Sequence, residues 1–172
     1  IYTTMKNLIK TLFVALAMAA ATAVSAQVEI TKVDKIQPTE EVFMDMAMSA
    51  AKTSVADNGL PCGAVVILNG AWRATGMPSG EQTAEQVAIN KSRTKSLANA
   101  QIYTVVQPTA AAMKAIEASG IPTVYFVVSS ADAVAAGIHS AQDYSGIRSE
   151  VKMVQIPFAE ATSLVSGRKP AK

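Results

Sequence analysis

Gly63-Ala64-Val65-Val66-Ile67-Leu68-Asn69-Gly70-Ala71-Trp72-Arg73-Ala74-Thr75 is the stretch that decides the architecture. Six small or apolar residues read as a strand. Asn69-Gly70 is the strongest short hairpin signal, because both residues accept the positive φ of a two-residue turn. Ala71 to Thr75 then returns as the partner strand.

Outward from this hairpin the pattern alternates. Upstream, Thr39 is expected to cap a helix with Glu40 and Glu41 in its first turn, where the helix dipole favours acids. Val42, Phe43, Met46, Ala47, Ala50 and Ala51 follow at helical spacing, and Asn58-Gly59 ends the run. Downstream, Met77 to Gln82 is a Pro/Gly loop and Thr83 to Ser96 a second helix. Ile102 to Val106 is a third strand. Thr109 caps a third helix that runs to Ser119, with Gly120 at its stop. Val124 to Val128 is continuously apolar, as a strand covered on both faces should be. A short helix at Ala131 to Ala136, a strand at Val151 to Ile156 and a closing helix at Phe158 to Val165 complete the order. A hairpin followed by alternating helices and strands implies an α/β fold, a mixed five-stranded sheet packed between helices as one domain.

The amino terminus reads differently. Lys6 and Lys10 precede an apolar run from Leu12 to Ala23, and Val24-Ser25-Ala26 is a small-x-small cleavage pattern. The segment Met5–Ala26 is therefore expected to be a secretory signal peptide, with Gln27 the first mature residue and residues 1–4 upstream read-through. The run is shorter than the roughly 20 apolar residues of a membrane span, so no stable membrane span is expected. The organisation that follows is residues 1–26 as signal, 27–38 as an extended lead-in, 39–166 as the domain and 167–172 as a basic, solvated tail. The whole chain carries 15 basic and 13 acidic residues. The two lysines of the signal account for the excess, so the mature part is neutral and offers no electrostatic footprint for nucleic acid. Cys62 is the only cysteine and His139 the only histidine. A site of several Cys and His ligands is arithmetically impossible, and stability must come from the apolar core.

Five short stretches, in order and on matching elements, resemble the zinc-dependent cytidine/deoxycytidylate deaminase superfamily, in its guanine deaminase and tRNA adenosine deaminase branch. Pro61-Cys62-Gly63-Ala64-Val65-Val66 resembles P-F-G-A-V-V. Thr83-Ala84-Glu85-Gln86-Val87-Ala88-Ile89 lines up with H-A-E-x-x-A-I. Ile102-Tyr103-Thr104, leading to Gln107-Pro108-Thr109-Ala110-Ala111-Ala112, stands where the family has L-Y-T-x-x-E-P-C-x-x-C. Asp132 to Ile138 resembles D-A-A-A-I-G-F, and Met153-Val154-Gln155 a terminal M-V-Q. The resemblance covers about residues 40 to 165 and implies a three-layer α/β/α cytidine-deaminase-like sandwich. In that family one histidine and two cysteines hold a zinc that activates water, and a glutamate that is not a ligand moves the proton.

Here the resemblance puts Thr83 at the histidine and Thr109 and Ala112 at the cysteines, with Gln107 in place of the acid before Pro108. A threonine hydroxyl is a poor zinc ligand and an alanine methyl is none, so no cofactor is expected, zinc included. Glu85, at the proton-shuttle position, survives. It reads either as that shuttle without its metal-bound water or as an acid placed in the first helical turn by the dipole. Cys62, at a strand start beside the implied pocket, behaves as a small hydrophobe, and His139 as a surface loop residue. The rival arrangement joins them, with Glu85 or Asp143 as a third ligand, or as a Cys62–His139 nucleophile pair. Met44 and Met48 share a helix face from which Met46 points away, and Trp72 is expected to be buried on its strand.

The expectation is therefore an exported, periplasmic or secreted, deaminase-fold protein without a reaction, binding a small planar ligand or acting as a scaffold. The alternative is an active nucleobase or nucleoside deaminase-type hydrolase with a rebuilt or metal-free site. The helix Thr109 to Ser119 is apolar on nearly every side. Members of the resembled branch pair through it, so a homodimer is expected.

Overall fold

The computed structural model describes residues 28–168; the expected signal peptide and the end of the tail lie outside the described residues. The elements in chain order are β1 (Ile30–Lys32), α1 (Pro38–Ala56), β2 (Ala64–Leu68), β3 (Ala71–Gly76), α2 (Ala84–Ser92), β4 (Ala100–Val106), α3 (Ala110–Ser119), β5 (Thr123–Val128), α4 (Ser130–Ala135), a 3-10 turn (Ala141–Tyr144), β6 (Lys152–Gln155) and α5 (Ala159–Ser166). One sheet takes the order β1-β6-β5-β4-β2-β3. The first four strands in that order run parallel, and the hairpin strands β2 and β3 are antiparallel.

The sheet has six strands where five are expected from the sequence. The extra one comes from the lead-in, whose Ile30, Thr31 and Lys32 pair with Met153, Val154 and Gln155. Its three residues are all exposed, so no apolar alternation marked it. The hairpin forms as expected, with Asn69 at φ 52° and Gly70 at φ 76°.

Tyr103 of β4 lies 5.3 Å from the Phe43 ring of α1, while the next residue, Thr104, bonds Glu85 of α2. Successive strand side chains point to opposite faces, so α1 and α2 cover opposite sides of the sheet. That is the three-layer sandwich. Phe126, Met44, Met48, Ile67, Ile102 and Ile116 are fully buried between the layers. At roughly 2 to 3 kcal/mol each, such side chains carry much of the folding free energy.

Local differences from the sequence reading have local causes. Gln37, not Thr39, caps α1, because Pro38 is pre-organised for the first helical position. The second helix stops at Ser92 instead of Ser96: Arg93 takes a left-handed φ of 46°, and the chain then turns so that Leu97 reaches the core from a loop. Trp72 is 54% exposed, because β3 is an edge strand; its Nε1 donates to Thr75 Oγ1 at 3.0 Å. Val42 and Met46, expected on the apolar stripe of α1, are exposed, and Met44 and Met48, on a different face from Met46, are buried in their place. Helix α3 buries Ala112, Met113 and Ile116 and packs beside α2, with Lys114 and Glu117 in solvent. The closing helix packs on β5 and is tied to α1 by the Lys52–Glu160 ion pair. Arg168, expected in a solvated tail, is partly buried.

Candidate functional site

The loop after β3 and the starts of α2 and α3 enclose a cleft of about 190 Å³. Cys62, Thr83, Glu85, Gln107, Thr109 and His139 all line it. These six come from four separate parts of the chain. Cys62 precedes β2. Thr83 and Glu85 open α2, Gln107 and Thr109 lead from β4 into α3, and His139 follows α4. Of the residues singled out in the sequence, Ala112 and Asp143 are not on the wall. Ala112 is buried beneath it. Asp143 caps the 3-10 turn, its carboxylate accepting from the Ser140 backbone N–H at 2.7 Å and hydroxyl at 2.9 Å; those bonds hold its carboxyl below the usual range.

Both threonines cap the helices they open. Thr83 Oγ1 accepts from Gln86 N–H, and Gln86 Oε1 returns the favour to Thr83 N–H at 2.8 Å, a reciprocal capping box. Thr109 Oγ1 accepts from Ala112 N–H at 3.4 Å. These hydroxyls satisfy backbone donors that an α-helix leaves unpaired. Gln107 Oε1 accepts from Ser130 N–H at 2.9 Å, which ties the start of α4 to the rim.

Glu85 is only 6% exposed and accepts a 2.7 Å hydrogen bond from the Thr104 hydroxyl. A first-turn acid held by the dipole alone belongs in solvent. Burial against a fixed hydroxyl makes Glu85 part of the cleft. Thr104 is the site residue missed by sequence reasoning; its only signal is its place opposite Tyr103 in the strand alternation.

Gly137, at φ 67°, turns the chain after α4. Ile138 then plugs into the core and His139 faces Cys62. His139 is thus not a surface loop residue: its Nε2 lies 3.9 Å from Cys62 Sγ and its ring stands edge-on to Tyr144 at 5.9 Å. Burial pushes the Cys62 thiol up, with Glu85 adding to it, and burial lowers His139 despite the opposing pull of Glu85 and Asp143. The pair is therefore a neutral thiol beside a neutral imidazole, and a thiol held neutral is a weak nucleophile.

A histidine whose folded-state pKa is depressed makes the unfolded chain bind more protons, so stability is lost as pH falls. The window opens near the ordinary value of 6.5 and closes below the lowered folded value. Urea unfolding between pH 7.5 and 5 is expected to show that loss, and His139→Asn to flatten it. Parallel profiles for the two proteins would contradict the assignment.

A cleft lined by a buried glutamate and by the starts of α2 and α3, on a mixed sheet covered by helices on both faces, defines a domain built like the nucleobase and nucleoside deaminases. The chain belongs to the cytidine and deoxycytidylate deaminase family, whose zinc-binding region matches residues 37–128. Among solved structures, the protein NE0047 in complex with 2,6-diaminopurine superposes with a TM-score of 0.65 at 17% identity, covering 78% of this chain and 82% of that one. Guanine deaminase from Nitrosomonas europaea gives 0.62 at 16% identity over 84% and 88% of the two chains. Guanine deaminase from Bacillus subtilis gives 0.56 at 27% identity over 69% and 82%. No curated protein matches the chain.

The family implies zinc, and the donors here do not fit it. At the three implied ligand positions stand two capping hydroxyls and one methyl, and zinc is held by thiolate, imidazole or carboxylate. Among the described residues no group of three or more His, Cys, Asp or Glu side chains converges for a metal. That includes the sets of Cys62 and His139 with Glu85 or Asp143.

Proposed function

We propose that this protein is an exported member of the deaminase family that has given up deamination and keeps the cleft as a binding site for one small planar ligand. The observation that carries this reading is the use of Thr83 and Thr109 as helix caps. The hydroxyls at the implied metal positions are committed to their own helices, and a water activated by zinc has nothing to sit on. The cleft still has the scale of a single flat ring system. Its 190 Å³ falls below the roughly 300 to 1,000 Å³ of pockets for larger ligands. Glu85, Gln107 and His139 give it polar edges of both signs of hydrogen bonding.

The second reading is a deaminase-type hydrolase with metal-free chemistry, for which the Cys62–His139 pair is the nucleophile candidate on the cleft wall. One experiment separates the two. Purified protein is titrated with 2,6-diaminopurine by calorimetry, assayed for released ammonia and analysed for metal. The binding reading expects one site per chain, no ammonia and well under one zinc per chain. Ammonia release would overturn it in favour of the hydrolase, and absence of binding would remove the ligand.

Export rests on Met5–Ala26 and is tested separately. Amino-terminal sequencing of protein recovered from outside the cytoplasm is expected to begin at Gln27. An intact Met5 on that material would remove the claim.

A further inference from the structure

We propose a second ligand site, separate from the deaminase cleft, that takes a small molecule with an apolar body and a single anionic head. A cavity of about 680 Å³ opens where the parallel strands β1, β5 and β6 end. The carboxyl ends of parallel strands are where open α/β sheets hold ligands, and the volume suits a small-molecule pocket. Val127, Ala136, Ile156, Phe158 and Val165 supply an apolar wall.

The head group is specified by Arg168, which also lines the cavity. Its Nη1 is buried and has no hydrogen-bond partner among the described residues. A buried guanidinium nitrogen without a partner is costly, and a carboxylate or phosphate matches its forked geometry. Lys32 at the rim adds positive charge. Asp132, the acid on the wall, is tied by the Ser129 hydroxyl at 2.6 Å. Positive charge thus exceeds negative around the cavity, over a wall that only an apolar body would cover.

Octanoate and octyl phosphate are the probes, titrated into the full chain by calorimetry at low salt, with octan-1-ol as the headless control. One molecule per chain is expected, with octan-1-ol at least about tenfold weaker, as loss of a charge-assisted pair implies. Whichever anion binds more tightly names the head group. Arg168→Ala is expected to weaken the anions by at least about tenfold and leave octan-1-ol unchanged. Arg168 follows the last helix, so this variant should fold. Ala136→Phe, which fills the apolar wall, is expected to abolish binding with the thermal midpoint preserved. 2,6-Diaminopurine is expected not to compete. No anion binding, equal binding by Arg168→Ala, equal binding of octan-1-ol, or competition by 2,6-diaminopurine would each overturn the site. The anion, octan-1-ol and Arg168→Ala outcomes do not depend on whether 2,6-diaminopurine itself binds, so failure of this site and failure of the cleft reading are distinguishable.

Discussion

Thr83→His, Thr109→Cys and Ala112→Cys, made together, are expected to give a protein that holds about one zinc per chain at micromolar affinity or tighter, about 8 kcal/mol or more. The reason is positional. Thr83 and Thr109 sit at the starts of α2 and α3 and line one cleft, and those two helices pack side by side. Ala112 is the first-turn residue whose N–H the Thr109 hydroxyl caps. One imidazole and two thiolates from these positions form a three-ligand site of the catalytic type, with a fourth place left for water. The trade is measurable. Without metal the triple variant loses both threonine caps, at about 1 kcal/mol each, and is expected to unfold at lower urea than the parent. With metal it is expected to be the more stable of the two, because binding to the folded state alone adds stability. Glu85 lines the same cleft, so weak deamination is the natural second assay. A folded triple variant that takes up no zinc would show that the ligand positions have been assigned wrongly.

Gly76→Ala and Gly63→Ala are expected to cost about 3 kcal/mol or more each, at the top of the range for overpacking. A Cβ on Gly76 would lie 2.0 Å from Ala84 O and 2.5 Å from Ala88 N; one on Gly63 would lie 2.2 Å from Ala47 O and 2.6 Å from Ala51 N. These are backbone atoms of α2 and α1, so no rotamer change relieves the clash and a whole helix must move. Gly80→Ala is the control. Its φ is +58° with nothing within 4 Å, so it pays only local strain, about 1 kcal/mol. Urea midpoints for the three variants decide the matter. Gly76→Ala costing no more than Gly80→Ala would mean that α2 is not seated this closely. The Gly76 contact also bears on function, because it seats the first turn of α2, which carries Glu85.

The hairpin, the third strand and the helix from Thr109 to Gly120 were readable because each is announced by local chemistry. Asn69-Gly70 has no good alternative to its turn. Thr109 and Gly120 bracket a helix with a cap and a left-handed stop. Strand β1 was not readable, because three exposed residues carry no periodicity and gain their pairing only from the edge of β6. The exposure of Trp72 was misread for a related reason: an aromatic on a strand looks the same in sequence whether the strand is central or at the edge.

The candidate site divides along the same line. Sequence alone determined which donors exist: one cysteine, one histidine, and threonine or alanine at each implied ligand position. No arrangement of the chain can add to that inventory, so the poor fit to zinc follows from composition and order. Tertiary structure decided what the remaining groups do, because burial and partners are set by chain segments far apart in sequence. It sank Glu85 beneath Thr104, 19 residues away. It brought His139 against Cys62 across 77 residues and turned Arg168 inward from a tail that composition had placed in solvent. Neutralising a thiol and depressing an imidazole are both effects of desolvation. Desolvation is a property of the packed fold and not of any local stretch of residues.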